Sequence, residues 1–253
     1  MILIVAFFAF WEWSAEAKLY NPLFTSYPSE IFRDLIEFYV SGDLIKHASI
    51  TLKEAFLGLF YGSLAGIIAG LILGQFKSLG KILLPIITAI HGIPQLTLAP
   101  VYILWFGLGI ASKVFLAALM VFFHVFFSTY AGIQNVDKKL IESANLLGAG
   151  KVQTLIHVVL PTSMPFILSG VRVGVGSSLV GAIIGEYIGA SAGFGWMIAY
   201  ASSYFNIARV MACILILLIV GIFLNFFLDK VEEYLLRWRG RENLVIENSK
   251  KIS

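Results

Sequence analysis

The chain has 253 residues, of which 59% are hydrophobic and only 13% are charged, and its formal net charge is +3. Because an ordinary soluble domain is about 45–50% apolar and about 25% charged, this composition excludes a soluble globule and predicts an all-α integral membrane protein. The small charge, without basic runs that alternate with exposed aromatic residues, argues against nucleic acid as a partner.

The first segment, Met1–Trp13, is strongly apolar but reaches only about 20 Å as a helix. It lacks the basic start and the small-residue cleavage site of a signal peptide. We therefore interpret residues 1–13 as part of a first transmembrane helix whose opening turns are missing from this sequence. The alternative is a short anchor in the membrane interface.

Residues 14–49 form the next segment, which we expect on the outer side of the membrane. Tyr27-Pro-Ser-Glu30 has the features of a turn followed by a helix start. Apolar residues then recur at Ile31, Leu35, Ile36 and Tyr39. This spacing predicts an amphipathic helix on the outer surface.

Four later stretches have roughly the 20 residues that cross a hydrocarbon core of about 30 Å. They are Ala55–Leu73, Val114–Ile133, Pro165–Ile188 and Val210–Leu228. Ile82–Trp105 is also apolar but contains Pro85, Pro94 and Pro100, so we expect a kinked helix inside the bundle. With the first segment this makes about six transmembrane helices. The membrane domain is predicted at residues 50–228 and a cytoplasmic tail at residues 229–253.

The distribution of basic residues predicts the orientation, because Lys and Arg are enriched in short cytoplasmic loops. If the segment after Ala55–Leu73 faces the cytoplasm, eleven Lys and Arg residues lie on that side and six on the other. This asymmetry predicts that both termini are cytoplasmic.

A glycine stripe runs through the second span, where glycine recurs at every fourth position. Its members are Gly58, Gly62, Gly66, Gly70 and Gly74. Small residues at this spacing let helix backbones approach closely, which predicts helix packing within a bundle or across a dimer interface. A transport pathway along this smooth face is the alternative.

The longest interior loop covers residues 135–161. Asp137 can cap a helix that begins at Lys138, and Gly148 can end it in the left-handed conformation. The apolar stripe of this helix consists of Leu140, Ile141, Ala144 and Leu147. A second helix is predicted from Lys151 to Val159, where Pro161 stops it. The exposed strip indicates a docking surface for a cytoplasmic partner, or else a helix pair lying on lipid headgroups.

This loop resembles the EAA loop of permeases from ATP-binding-cassette importers. The family pattern is Glu-Ala-Ala, three residues, Gly, nine residues, Ile, any residue, Leu-Pro. The residues at the corresponding positions here include Glu142, Ser143, Ala144, Gly148, Leu160 and Pro161. The chain departs from the pattern at Ser143, where Ala is usual, and at Val158, where Ile is usual.

The resemblance extends from about Pro28 to Arg239. It includes the proline-rich third span that ends in Ile103-Leu-Trp-Phe-Gly107 and the motif Gly185-Glu-Tyr-Ile-Gly-Ala190. The chain is most similar to the branch that carries nitrate, sulfonate, taurine, bicarbonate or thiamine-precursor pyrimidines.

The resemblance implies a type I importer permease fold in the cell inner membrane. Two permease chains would form a homodimer, with each resting on a cytoplasmic ATPase subunit, and an extracytoplasmic binding protein would deliver the substrate. Within the coupling loop, Glu142 is expected to make a charged contact with the ATPase. Gly148 would form the bend after the helix, and Ala144 and Leu147 would form the apolar seat, that is, the apolar surface that contacts the ATPase. ATP would bind to the partner, so this chain is expected to hold no cofactor or metal.

Three residues are candidates for the translocation pathway or its gates. An arginine inside a span, such as Arg172, should face protein or water, because the bilayer centre costs it roughly 2.5–3.5 kcal/mol. Glu186, about 21 Å further along that helix, is a gate, a binding-protein contact or a solvated helix end. Pro94 lies in the kinked third span. His91 and His124 are interpreted as core histidines.

Two other classes of protein remain as alternatives. An ion-coupled secondary transporter commonly carries acidic residues inside the membrane and an inverted repeat, whereas here only Glu186 lies near a span end and no repeat is evident. A membrane-bound enzyme would need a catalytic set, and the sequence contains no nucleophile elbow, zinc-ligand motif or paired-carboxylate motif. We therefore expect a transport subunit with no enzymatic activity of its own.

Overall fold

A computed structural model describes residues 2–17, 19 and 22–236 of this chain. Most of the predicted tail, from position 237 onward, lies outside the described residues. The α-helices are α1 Ile2–Glu16, α2 Pro22–Thr25, α3 Pro28–Val40, α4 Asp43–Gln75, α5 Lys77–His91, α6 Ala99–Phe106, α7 Ile110–Gln134, α8 Lys138–Leu146, α9 Lys151–Thr154, α10 Leu160–Gly189, α11 Phe194–Ser203 and α12 Ile207–Leu235. A 3₁₀ turn precedes α6, and a π-helical turn joins α9 to α10.

Four continuous helical segments in the described residues are long and apolar enough to cross a membrane. They are Asp43–Gln75, Ile110–Gln134, Lys151–Gly189 and Ile207–Leu235. The third predicted span is a bent pair, Lys77–His91 and Gln95–Phe106, with an angle of 76° between its parts. The predicted kink is therefore confirmed. With 15 residues, α1 is shorter than these spans, and its role as a partial first span stays a prediction.

The helix α4 begins at Asp43, within the segment 14–49 that was predicted to lie outside, and the membrane boundary of this segment stays a prediction. Within this segment α3 buries Ile31, Asp34 and Phe38. The predicted helix is present, and of its named apolar positions Ile31 is buried, whereas Ile36 and Tyr39 are exposed. The buried face includes Asp34 because its carboxylate lies 2.6 Å from Nε of Arg209 in α12.

The described residues divide into two compact units, and the long helices contribute to both. The first, called the Glu186 unit, consists of Met1–Gly58, Pro94–Ala118 and Ser178–Gly221. Its core contains Phe38, Phe194, Met197 and Cys213. The second, called the loop unit, consists of Leu59–Ile93, Leu119–Ser177 and Ile222–Ser253. Its core beside α8 contains Ile133, Val136 and Val159.

In the loop unit, α7 packs against the glycine stripe of α4. A Cβ atom added at Gly66 would lie 2.9 Å from the carbonyl oxygen of Phe122. Added Cβ atoms at Gly70 and Gly74 would meet Thr129 and Ile133 at less than 3.0 Å. A side chain at these positions would overlap with α7 and force the two helices apart. The separation would weaken the bundle, because close packing holds membrane helices together.

In the Glu186 unit, glycines of two helices lie against the start of α7. A Cβ atom added at Gly58 would collide with Ala117, and one at Gly181 would lie 2.6 Å from Cα of the same residue. At Gly185 it would lie 2.9 Å from Cγ of Lys113. This close approach brings the side chain of Lys113 into the interior of the unit.

Candidate functional site

The coupling-loop candidate begins with α8, whose start has the predicted cap. The Asp137 side chain accepts a hydrogen bond of 2.9 Å from the backbone N–H of Lys139. The carboxylate satisfies a helix N–H that has no partner within the helix. Its negative charge also complements the positive end of the helix dipole. The sequence therefore determines locally where α8 begins.

The end of α8 is a glycine turn. Gly148 has a φ angle of +84°. Its N–H donates to the carbonyl of Asn145 at 3.0 Å, and the N–H of Ala149 donates to the carbonyl of Ala144 at 3.0 Å. These two bonds form a Schellman motif, which satisfies helix carbonyls that would otherwise lack partners. The next helix starts where Oε1 of Gln153 accepts from the N–H of Gly150 at 2.8 Å.

The predicted stop at Pro161 is wrong. Helical structure continues without a break from Lys151 to Gly189. The turn Leu155–Val159 is π-helical, and the N–H of Leu160 donates to the carbonyl of Leu155, five residues earlier. Because this widened turn shifts the hydrogen-bond ladder just before Pro161, the missing N–H of the proline does not end the helix.

The apolar stripe of α8 divides between two environments. Ile141 packs inward against the core of Ile133, Val136 and Val159. Leu147, by contrast, is 88% exposed and Leu140 is 48% exposed. Three further apolar residues of the loop are exposed and had not been predicted, namely Leu146, Val152 and Ile156. Their sequence positions do not reveal this exposure, because which side of each helix is covered depends on packing.

A shallow groove lies between the two helical parts of the loop. It is lined by Ala144, Leu147, Gly148, Ala149, Gln153, Thr154, His157 and Val158. Glu142 and Ser143 are exposed beside it, whereas Leu160 and Pro161 are half-buried. Within the described part of the chain, Glu142 forms no ion pair. The groove thus has an apolar lining and an acidic side chain that is free to meet another protein.

Glu186 lies inside its unit and is hydrogen-bonded to residues of α4 and α11, while its role as a gate or a binding-protein contact stays a prediction. Its side chain is fully buried, which rules out a solvated helix end. One carboxylate oxygen accepts a hydrogen bond of 2.7 Å from the hydroxyl of Thr51, and the other accepts one of 2.7 Å from the N–H of Gly195. The N–H of Phe194 donates to the Thr51 hydroxyl at 2.8 Å. Glu186 therefore fastens the start of α11 to α4.

Two further buried charges surround Glu186. The Glu54 carboxyl group lies beside it, and the Lys113 ammonium group is close enough to interact with both carboxyl groups. The ammonium group donates hydrogen bonds to the carbonyl oxygens of Leu108 and Gly189. Lys113 is one of the six basic residues that the charge asymmetry places on the outer side of the membrane. No local signal indicates its burial, because its contacts come from other helices.

The remaining pathway candidates have structural neighbours. The guanidinium group of Arg172 lies 2.6 Å from the carboxylate of Asp229 and 2.5 Å from that of Glu232, and its side chain is 43% exposed. Pro94 is exposed just before the 3₁₀ turn. A pathway role for either residue stays a prediction.

The two histidines come together in the loop unit. The rings of His91 and His124 lie 6.3 Å apart, and His91 also contacts the ring of Phe123 at 4.8 Å. His91 is exposed, so its interpretation as a core residue is wrong. In the described residues, no group of three or more His, Cys, Asp or Glu side chains is arranged to hold a metal ion.

Comparison with known proteins identifies similar sequences and a similar fold. Residues 62–238 match the family model described as "Binding-protein-dependent transport system inner membrane component". The chain is 35% identical over 209 residues to the putative aliphatic sulfonates transport permease protein SsuC of Bacillus subtilis, covering 83% of this chain and 75% of that protein. It is 31% identical to the taurine transport system permease protein TauC of Escherichia coli, covering 91% and 86%.

A third relative is the formylaminopyrimidine transport permease protein ThiX of Halalkalibacterium halodurans, at 30% identity and 92% coverage of both chains. Among solved structures, a chain of the inward-facing MetNI methionine ABC transporter matches with a TM-score of 0.68 and 18% identity. The match covers 78% of this chain and 97% of that one. At this low identity the structural match supports the fold alone.

Proposed function

Because this chain belongs to the family of binding-protein-dependent transport system inner membrane components, we propose that residues 135–161 couple it to a separate ATPase. The protein is the permease subunit of an ATP-binding-cassette importer, a multi-pass inner-membrane component and not an enzyme. Its family therefore sets aside the ion-coupled secondary transporter and the membrane-bound enzyme. In this scheme, residues 135–161 contact the ATPase and move with it.

The observation that carries the proposal is the exposed apolar end of α8. Leu146 and Leu147 are each 88% exposed at the glycine turn. Two adjacent leucines that are exposed to water carry a free-energy cost, because their apolar surface is hydrated. A partner that buries this surface removes the cost and thereby stabilises the assembly. The adjoining groove is concave, so it can receive a projecting side chain of a protein partner, which a flat layer of lipid headgroups does not provide.

The charges around this end are consistent with a protein partner. Glu142 is exposed on α8, and Lys138 and Lys139 are exposed at its start. We propose that Glu142 makes a charged contact with the ATPase and that Ala144 and Leu147 form the apolar seat. Ser143 lies at the edge of this seat, while Leu160 and Pro161 connect the loop to α10. ATP binds to the ATPase in this scheme, and this chain supplies no cofactor site.

The names of the relatives support a proposal for the substrate class. Their names assign aliphatic sulfonates, taurine and a formylaminopyrimidine to them. We propose that this permease imports a small polar organic solute of the sulfonate or thiamine-precursor class, received from an extracytoplasmic binding protein. Two permease chains form the pathway, with both termini and the coupling loop in the cytoplasm.

The test is reconstitution of the permease with its ATPase and binding protein in lipid vesicles. We expect Leu147→Asp to reduce co-purification of the ATPase and to abolish the stimulation of ATP hydrolysis by loaded binding protein. Val40→Asp is the matched control, because Val40 is 77% exposed on α3, outside the loop. Full ATPase binding and stimulation in Leu147→Asp would show that this surface is not the coupling element.

A further inference from the structure

Three charged side chains are buried together in the Glu186 unit. Glu186 is 0% exposed, Lys113 is 1% exposed and Glu54 is 4% exposed. They come from α10, α7 and α4 respectively. A buried charge is costly unless an opposite charge and hydrogen bonds compensate for it. The sum of the charges therefore indicates whether the site also holds a proton or an ion.

The charges of these three groups do not cancel. Two carboxylates and one ammonium group sum to −1. The ammonium group has three N–H donors, and two of them serve the carbonyl oxygens of Leu108 and Gly189. The ammonium group interacts electrostatically with both Glu54 and Glu186, but its single positive charge can compensate only one carboxylate.

The uncompensated group is Glu54. Both oxygens of Glu186 accept hydrogen bonds, from Thr51 and from Gly195. Oε2 of Glu54 is buried and has no hydrogen-bond partner among residues 2–17, 19 and 22–236. A buried carboxylate oxygen without a donor is rare in native structures and calls for a proton or an ion.

Glu54 is one of the residues that line a cavity of about 350 Å³. Its lining includes Lys53, Glu54, Lys113 and Ser191, together with Gly109. Glu54 therefore lies in the cavity wall, and a small movement of its side chain would bring the covered Oε2 into contact with the cavity. The cavity also lies beside the turn between α10 and α11, which Glu186 holds in place.

We propose that Glu54, Glu186 and Lys113 form an exchangeable site for one positive charge, either a proton or an alkali cation, at the Glu54 carboxyl group, which lies in hydrogen-bond contact with Glu186. The charged groups that face the site are Glu54 and Lys53 from α4, Lys113 from α7 and Glu186 from α10, while α11 contributes the N–H of Gly195. The family assignment rests on the sequence match and not on this site, so failure of the proposal would leave that assignment intact.

The test is infrared difference spectroscopy of the full-length protein, with its co-purifying subunits, in nanodiscs at neutral pH. A protonated carboxylic acid has a carbonyl stretch that shifts in deuterated water. The charge balance predicts one such group in the wild type and none in Glu54→Gln, where Glu186 and Lys113 cancel. Lys113→Met should show about twice the wild-type amplitude. Glu37→Gln is the matched control, because Glu37 is exposed on α3.

Sodium titration separates the two sources of the charge. A band that persists at high sodium concentration identifies a proton. A band that disappears as sodium rises, or binding of radioactive sodium that Glu54→Gln abolishes, identifies an alkali cation. A wild-type protein with neither the band nor bound sodium would overturn the proposal, and this result does not require any variant to fold.

Discussion

The Nε atom of Arg209 donates to the carboxylate of Asp34 at 2.6 Å, and its guanidinium group also lies 4.3 Å from the ring centre of Phe38. The side chains of Arg209 and Asp34 are only 15% and 11% exposed. This ion pair joins the outer helix α3 to the start of α12, so the segment between the first two spans is fixed by charge as well as by apolar packing.

We expect Asp34→Ala to destabilise the protein by roughly 3–5 kcal/mol, because it leaves the largely buried Arg209 without its partner. Thermal unfolding in detergent measures the loss. The exposed pair of Lys230 and Glu233, at 63% and 69% exposure, is the control. Glu233→Ala should cost at most about 1 kcal/mol. Equal losses for the two variants would contradict a structural role for the Asp34 pair.

A second prediction concerns the turn at Gly148. A Cβ atom there would meet nothing within 4 Å, so the cost of Gly148→Val comes from the φ angle of +84° alone. We expect a local cost of about 1–3 kcal/mol and a loss of ATPase co-purification, with membrane insertion intact. In contrast, Gly150 has a φ angle of −73°, and Gly150→Ala should be tolerated. The idea fails if Gly148→Val retains full ATPase binding and stimulation.

A third prediction concerns helix packing at Gly66. Gly66→Ala should lower the yield and the thermal stability of the protein, because its Cβ would lie 2.9 Å from a backbone oxygen of α7. At Gly176 in α10 the same substitution meets nothing within 4 Å. It should be neutral or stabilising by up to about 1 kcal/mol, since alanine favours helix more than glycine does. Identical behaviour of the two variants would show that α7 does not approach Gly66.

The fourth prediction concerns orientation. A membrane-impermeant thiol reagent applied from outside should label Ser29→Cys and should not label Lys139→Cys. The native Cys213 is buried and should remain unlabelled, so it provides a low background. Disruption of the membrane should make Lys139→Cys reactive. Outside labelling at position 139 in intact cells would reverse the proposed topology.

Much of the loop region could be predicted from the sequence because its determinants are local. The cap at Asp137 and the turn at Gly148 depend on residues within a few positions of each other. The continuation of the helix through Pro161 was missed, because proline ordinarily ends a helix and the π-helical turn before it has no recognised sequence signal. The exposure of Leu146 was missed for a different reason, since only the packing of Ile141 decides which face of α8 is covered.

The sequence by itself determined the apolar spans, the break in the third span and the family, since these depend on composition and on spacing along the chain. Only the tertiary structure decided that Glu54, Lys113 and Glu186 meet. The Thr51 hydroxyl that supports Glu186 is 135 positions away in sequence. Periodicity cannot identify such a pairing, because it depends on which helices pack together and at what register.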